Sequence, residues 1–219
     1  MAGRIVAVVS QKGGAGKTTV VMQMAGGLAE QGRSFSIADL DPQESALRWS
    51  ELAAAAGTGI PVAEGVDGKD AGDRLRAMAG GRGLVLADCP PSIEHPNTLA
   101  ALEVADLVLV PVVPSPTDLW STRAVEKLIL QVQARRKSLK AFLLPNRVLR
   151  TRLAGEIVDF LHEFSLPVAG AALAQRNAFA ESALVGGSVF QLGRAADSAQ
   201  EEVRGLVKAL LKELETKKK

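Results

Sequence analysis

Short apolar runs alternate with longer amphipathic stretches along almost the whole chain. The apolar runs lie at residues 5–9, 35–38, 84–87, 107–112, 141–144 and 168–171, and their near-continuity is typical of strands buried on both faces. Helical periodicity is present at residues 18–31, 44–56, 71–79, 98–103, 119–134, 153–164, 178–184 and 196–215. This alternation predicts an α/β fold of three layers, built on a doubly wound, mainly parallel sheet.

The chain shows no internal repeat and no long linker. Its length of 219 residues suits one α/β domain, so we expect a single domain over residues 1–219. Residues 57–72 are rich in glycine and lack clear periodicity. This stretch is predicted to be a surface loop, with room for a short strand at 61–63.

A glycine-rich run joins the first predicted strand to the first predicted helix. Glycines allow successive backbone N–H groups to turn toward one anion, and the helix that follows directs its positive end to the same place. In a phosphate-binding loop of this kind, Lys17 reaches the β- and γ-phosphates and the Thr18 hydroxyl binds Mg²⁺. The residues expected to surround the phosphates are Gly13, Gly14, Ala15, Gly16, Lys17, Thr18 and Thr19.

Three aspartates follow predicted strands. Asp39 and Asp41 come after the second strand, and Asp88 directly follows the apolar run at 84–87. Because the carboxyl ends of parallel strands meet at one edge of the sheet, these carboxylates are predicted to lie beside the glycine-rich loop. Carboxylates in that position organise Mg²⁺ and water for phosphoryl transfer. The alternative for each is an aspartate that caps a helix or ends a strand in solvent.

The glycine-rich loop departs from the usual phosphate-loop pattern, because Gln11 stands at the expected first glycine and Lys12 precedes the glycine pair. The run KGGAGKT resembles the deviant phosphate loop of the ParA/MinD family of dimerising ATPases, in its ParA-like branch. The motifs DLDPQ at 39–43, DCPPS at 88–92 and PVVPSPTD at 111–118 resemble the two switches and a strand-to-helix link of that branch. The resemblance covers nearly the whole chain and implies a P-loop NTPase of the SIMIBI type.

The resemblance also implies roles for single residues, with ATP and Mg²⁺ as the cofactors. Lys12 would reach across a dimer interface to the partner's nucleotide, and Asp41 would position or activate the attacking water. Asn146, after the fifth predicted strand, would recognise adenine; its alternative is a turn asparagine. The implied catalytic set is Lys12, Lys17 and Asp41. The implied metal set is Thr18, Asp39 and Asp88.

Charge is informative through its distribution, since the formal net charge is only +2. Basic residues, but no acidic ones, lie between Glu126 and Glu156. A basic surface binds nucleic-acid phosphates without reading bases, and the family resemblance implies nonspecific binding of double-stranded DNA by the ATP-bound homodimer. The alternative is that this basic stretch is only the solvent-exposed end of a helix and has no binding role. The candidate DNA-binding residues are Arg135, Arg136, Lys137, Arg147, Arg150, Arg152 and Arg176.

Cysteine content and hydropathy favour a reducing cytoplasm. Cys89 is the single cysteine, so an intrachain disulfide and a multi-cysteine metal site are excluded. No apolar run approaches the ~20 residues of a membrane span, and no signal peptide is expected before the first strand. The resemblance implies a small form without the N-terminal helix-turn-helix segment of longer partition ATPases. We expect a cytoplasmic, nucleoid-associated protein.

The leading hypothesis is an ATP-dependent, dimerising ParA-type ATPase that binds nucleoid DNA nonspecifically. It would segregate a plasmid or chromosome, or position a protein body such as a carboxysome. A ParB-like or other cargo adaptor would stimulate the Mg²⁺-dependent hydrolysis of ATP to ADP and phosphate.

Two other functions remain open at this point. A MinD-like membrane-cycling ATPase would use the apolar stripe of the last helix and the three lysines after it. Glu213 and Glu215, and the lack of Trp or Phe on the stripe, favour packing on the sheet instead, so a membrane is not an expected partner. A metabolic enzyme such as a biotin-pathway synthetase would need an acid–base set beyond the ATP machinery, and none is found.

Overall fold

The computed structural model describes residues 3–81 and 83–216, so the three final lysines lie outside the described residues. All paired strands run parallel, in the order β3-β2-β4-β1-β5-β6. The strands are β1 Arg4–Val8, β2 Phe35–Asp39, β3 Glu64–Gly65, β4 Leu84–Asp88, β5 Leu107–Val112 and β6 Lys140–Pro145. The predicted parallel sheet is therefore confirmed.

Helices cover both faces of this sheet. They are α1 Lys17–Glu30, α2 Ser45–Ala55, α3 Ala71–Ala79, α4 Pro96–Val104, α5 Pro116–Arg135, α6 Arg152–Phe160, α7 Asn177–Leu184 and α8 Asp197–Glu215. On one face α3, α4 and α5 bury a core that includes Leu75, Leu102 and Ile129. On the other face α1, α2, α7 and α8 bury a second core that includes Leu28 and Leu206. The burial of both faces explains why the strands are almost uninterrupted apolar runs.

The strand predicted at 168–171 is wrong. This segment meets the edge strand β6 through a single parallel bridge, in which the Leu143 N–H donates to the Pro167 carbonyl and the Ala169 N–H donates to the Leu143 carbonyl. Two residues further along β6 the ladder would need an N–H from Pro145, which proline lacks. The Pro145 carbonyl instead accepts from Leu173 at 2.9 Å.

The short strand of the 57–72 loop lies just after its predicted position. Pro61 has no N–H, and the Ala63 N–H donates to Ser50 Oγ at 2.7 Å, so residues 61–63 do not pair with the sheet. The pairing residues are instead Glu64 and Gly65, which form β3 beside the end of β2.

Helix α8 packs on the molecule through its apolar stripe, as the glutamates of its sequence indicated. Val203, Leu206, Val207 and Leu210 are buried in the same core as α1. A Cβ added to Gly27 of α1 would lie 2.9 Å from Val207 Cγ2, so the two helices are in close contact there. None of the described helices is both long enough and apolar enough to cross a membrane.

Candidate nucleotide-binding site

The loop between β1 and α1 has the backbone of a phosphate cradle. Gly14 and Gly16 have φ angles of +79° and +86°, a region that residues with a Cβ rarely adopt. A Cβ on Gly13 or Gly14 would meet no atom within 4 Å, whereas one on Gly16 would lie 2.5 Å from Asn146 Nδ2. The space beside Gly13 and Gly14 is therefore open, whereas Gly16 has no room for a side chain.

Lys17 begins α1, and its side chain is buried in the loop. Its Nζ lies 3.5 Å from Ser10 Oγ and 3.4 Å from the Lys12 carbonyl. Burial lowers the pKa of Lys17, and the nearby carboxylates of Asp88 and Asp41 oppose this shift. A lysine ammonium held in this way at the start of a helix, inside a glycine-rich loop, is suited to bind phosphate oxygens.

Thr18 and Asp88 form the part of the site that fits Mg²⁺. Asp88 is the last residue of β4, and its Oδ2 accepts a hydrogen bond from Thr18 Oγ1 at 2.6 Å. Its Oδ1 is the one buried side-chain oxygen or nitrogen in the described residues without a hydrogen-bond partner. Oxygen ligands of this type are those that Mg²⁺ prefers, so Thr18 and Asp88 would hold the ion.

Asp88 also makes the metal-free protein sensitive to pH. Burial raises the pKa of Asp88 from its ordinary 3.8 to about 7. The unfolded chain thus releases this proton near pH ~4 and the folded chain near pH ~7. Because Asp88 ionises less readily in the folded protein, the free energy of unfolding falls as the pH rises from ~4 to ~7.

Asp88→Asn is therefore expected to stabilise the protein in EDTA at pH ~8, by roughly 4 kcal/mol, with little effect at pH ~4. Urea unfolding of wild type and variant at both pH values measures this. Mg²⁺-dependent ATP hydrolysis should be lost in the same variant. An equal effect of the substitution at both pH values would contradict the assignment.

Asp39 and Asp41 have different environments at the end of β2. Asp39 is buried, and its two carboxylate oxygens accept the N–H groups of Asp41 at 3.1 Å and Leu47 at 2.8 Å. Burial raises the pKa of Asp39. Asp41 lines the cleft described next, and its Oδ1 accepts the Gln43 N–H at 3.0 Å. Asp39 therefore anchors the turn that presents Asp41, and its role as a metal ligand stays a prediction.

A cleft of about 610 Å³ runs from the phosphate loop to the residues that follow β6. Asn146 lines it, but its Nδ2 donates to the Ala15 carbonyl at 2.7 Å. Asn146 thus supports the phosphate loop, and adenine recognition stays a prediction for it. The predicted nucleotide residues that line the cleft are Gly13, Gly14, Gly16, Lys17, Thr18, Thr19 and Asn146.

Lys12 lies at the rim of the loop, with its side chain 37% exposed. Its Nζ is 3.7 Å from Asp118 Oδ2, on the first turn of α5. Its carbonyl accepts a hydrogen bond from Ser10 Oγ at 2.8 Å. The two loop lysines therefore differ, because Lys17 points into the loop and Lys12 remains at the surface.

The predicted DNA-binding residues do not form one surface. The first group lies at the end of α5, near the amino-terminal ends of the strands and away from the cleft, and comprises Arg135, Arg136 and Lys137. Within this group, Arg135 pairs with Glu103, and Arg136 donates to two backbone carbonyls. The second group is on the cleft side of the sheet and comprises Arg147, Arg150, Arg152 and Arg176.

Most residues of the second group have partners of their own. Arg147 donates to the Gly14 carbonyl at 3.1 Å, and Arg152 pairs with Glu156 at 2.7 Å. Arg176 is hydrogen-bonded to Glu202 of α8. The first group precedes β6 and the second follows it. The basic stretch is continuous in sequence but is therefore divided between the amino-terminal and the carboxyl-terminal ends of the parallel strands.

Sequence reasoning missed two side chains that connect the site. Gln11 Oε1 accepts the Ile93 N–H at 3.0 Å, which links the phosphate loop to the segment after β4. The substitution of Gln11 for the usual glycine was a signal for such a role. Glu202 accepts hydrogen bonds from the cleft wall, and nothing in its local sequence distinguishes it from the other charged positions of α8.

The fold and the site together define a P-loop NTPase with a deviant phosphate loop. The family model described as VirC1 protein matches residues 3–216. The chain is 30% identical over 207 residues to the maintenance of carboxysome distribution protein A of Halothiobacillus neapolitanus, covering 94% of this chain and 95% of the relative. It is 31% identical over 215 residues to the protein of the same name from Gloeobacter kilaueensis, covering 94% of each.

The fold is shared with a solved structure. The ATP complex of McdA from Cyanothece superposes with a TM-score of 0.74 at 16% identity, over 95% of this chain and 96% of that chain. The protein therefore belongs to the VirC1 family of ParA-like P-loop ATPases. The resemblance drawn from the sequence motifs is confirmed.

Proposed function

We propose that this protein is an ATP-dependent, dimerising ATPase that binds DNA without sequence preference and distributes a cargo along it. An adaptor on the cargo would stimulate hydrolysis and release the DNA. Two relatives matched over nearly their whole length are named for carboxysome distribution. This supports a protein body such as a carboxysome as the cargo to test first, before a plasmid or a chromosome.

The observation that carries the proposal is the contrast between the two lysines of the phosphate loop. Lys17 is buried in the loop, where it would bind the phosphates of its own subunit. Lys12 is at the rim, where its half-buried side chain pairs loosely with the Asp118 carboxylate, 3.7 Å from its Nζ. A second lysine in this position can reach a nucleotide held by another copy of the chain, which would make dimerisation depend on ATP.

The remaining site residues account for hydrolysis. The loop N–H groups and Lys17 would bind the β- and γ-phosphates, and Thr18 with Asp88 would hold Mg²⁺, which neutralises phosphate charge. Asp41 orients the attacking water from the turn that Asp39 anchors. Phosphoryl transfer depends mainly on positioning and charge neutralisation, which are the roles proposed for these residues.

DNA binding would depend on the dimer, because a single copy presents few unpaired arginines on the cleft side. Among the four arginines there, Arg150 is exposed, and Arg152 is 93% exposed although it pairs with Glu156 one turn along α6. Arg147 and Arg176 are hydrogen-bonded within the site. A dimer joined at the cleft edge would place two copies of Arg150 and Arg152 near one face. The buried stripe of α8 favours DNA over a membrane as the surface that the dimer binds.

The test is binding of the wild-type protein to random-sequence duplex DNA, with ATP or with ADP. We expect tight binding with ATP only, and a loss on the order of a hundredfold or more between about 50 mM and 200 mM salt, because neutralised phosphates release counterions. Fluorescence anisotropy at several salt concentrations measures both. Equal binding with ATP and ADP, or none with either, would refute the proposal, and liposome co-sedimentation would then test the membrane alternative.

A further inference from the structure

Glu202 of α8 makes three hydrogen bonds to one wall of the nucleotide cleft. Its Oε1 accepts from Arg176 Nε at 2.9 Å and from Arg176 Nη2 at 2.6 Å. Its Oε2 accepts from the Ala174 N–H at 3.0 Å. Both oxygens are therefore engaged, and the Arg176 and Glu202 side chains are only 25% and 19% exposed.

The wall that Glu202 holds lies across the cleft from the phosphate loop and includes apolar side chains. It comprises residues 173–177 and continues into α7, where Phe179, Ala180 and Ala183 also line the cleft. The opposite side is the phosphate loop with Lys17 and Thr18. A nucleoside triphosphate bound with its phosphates on the loop would place its nucleoside against this wall.

Helix α8 is also fixed to the helix that begins at the phosphate loop. Val203 and Val207 pack against α1, and each would lie close to a Cβ on Gly27. Arg204, two residues after Glu202, forms an ion pair with Glu30 at the end of α1. Helix α8 thus joins the two sides of the cleft, with Glu202 as its contact to the wall.

We propose that Glu202 is a positioning residue that sets the place of the nucleoside wall relative to the phosphate loop. This inference rests on the proposed function, since it requires that the cleft binds ATP. It assigns Arg176 to the cleft wall rather than to a DNA surface. A glutamine at 202 has one acceptor oxygen and an amide that would face an N–H donor, so it cannot keep all three hydrogen bonds.

The experiment compares Mg²⁺–ATP with Mg²⁺–tripolyphosphate, which lacks the nucleoside, in competition with a fluorescent ATP analogue. Glu202→Gln should weaken ATP binding about tenfold, the size expected for a lost charge-assisted contact. Tripolyphosphate binding should change less than about twofold, because the phosphate loop is untouched. Arg176→Gln is a second variant and should show the same selective loss.

The matched control is Glu201→Gln, one residue earlier on α8, where the side chain is 79% exposed and pairs only loosely with Arg204. Glu201→Gln should leave the binding of Mg²⁺–ATP and of Mg²⁺–tripolyphosphate unchanged. An equal loss of ATP and tripolyphosphate binding in Glu202→Gln, or no loss of ATP binding, would overturn the inference. If the wild type binds neither ligand, the proposed function fails first, and this inference fails with it.

Discussion

Replacing Lys12 by alanine should abolish ATP-dependent dimerisation and DNA binding while the monomer still binds ATP. The Lys12 Nζ lies 3.7 Å from Asp118 Oδ2, whereas the hydrogen bond from Lys17 Nζ is accepted by the Lys12 backbone carbonyl. Alanine keeps that carbonyl, so the nucleotide site within the same subunit is preserved. A surface ion pair such as Lys12–Asp118 is worth ~0–1 kcal/mol, so a partner's phosphates would readily displace it.

We expect the loss in DNA affinity to be roughly a hundredfold or more, because a charge-assisted contact to phosphate is lost at each of the two sites of a dimer. Sedimentation velocity with ATP measures the dimer, and anisotropy measures DNA binding. Lys69→Ala is the matched control, since Lys69 is an exposed lysine in the 57–72 loop. Undiminished ATP-dependent DNA binding by Lys12→Ala would show that this lysine does not act between subunits.

Replacing Asp41 by alanine should have the opposite effect and trap the ATP-bound dimer on DNA. The backbone N–H of Asp41, not its side chain, bonds to Asp39, so the turn after β2 remains anchored. The substitution removes one hydrogen bond of the side chain, which the Asp41 carboxylate accepts from the Gln43 N–H. Nucleotide binding is therefore retained, while loss of the group that orients the water should slow hydrolysis by on the order of 10²–10⁴-fold.

Phosphate release and DNA dissociation after an ATP chase measure these two effects. Asp73→Ala is the control, because Asp73 is an exposed aspartate on α3 that pairs with Arg76, three residues further along the same helix. Asp41 has the assigned role only if hydrolysis falls while ATP-dependent DNA binding persists. A variant that loses nucleotide binding as well would place Asp41 in phosphate binding instead.

Local sequence was sufficient to predict the elements whose pattern is set by near neighbours. The buried strands show continuous apolar runs, and the glycines between β1 and α1 allow the backbone angles that the loop requires. The approach of Asp88 to Thr18 was also predictable, because parallel strands bring their carboxyl ends to one edge. The register of β2 on β4 likewise places Asp39 beside Asp88.

Only the tertiary structure decided which partners distant residues meet. The strand at 168–171 fails because its neighbour in the sheet, Pro145, lacks the N–H that the ladder needs. Asn146 turns its amide to the phosphate loop, and Glu202 reaches the cleft wall from another helix. Periodicity and motif spacing report on neighbours along the chain. Long-range hydrogen bonds depend on how strands and helices pack, so the sequence by itself determined the fold and the position of the site, and packing decided the contacts within it.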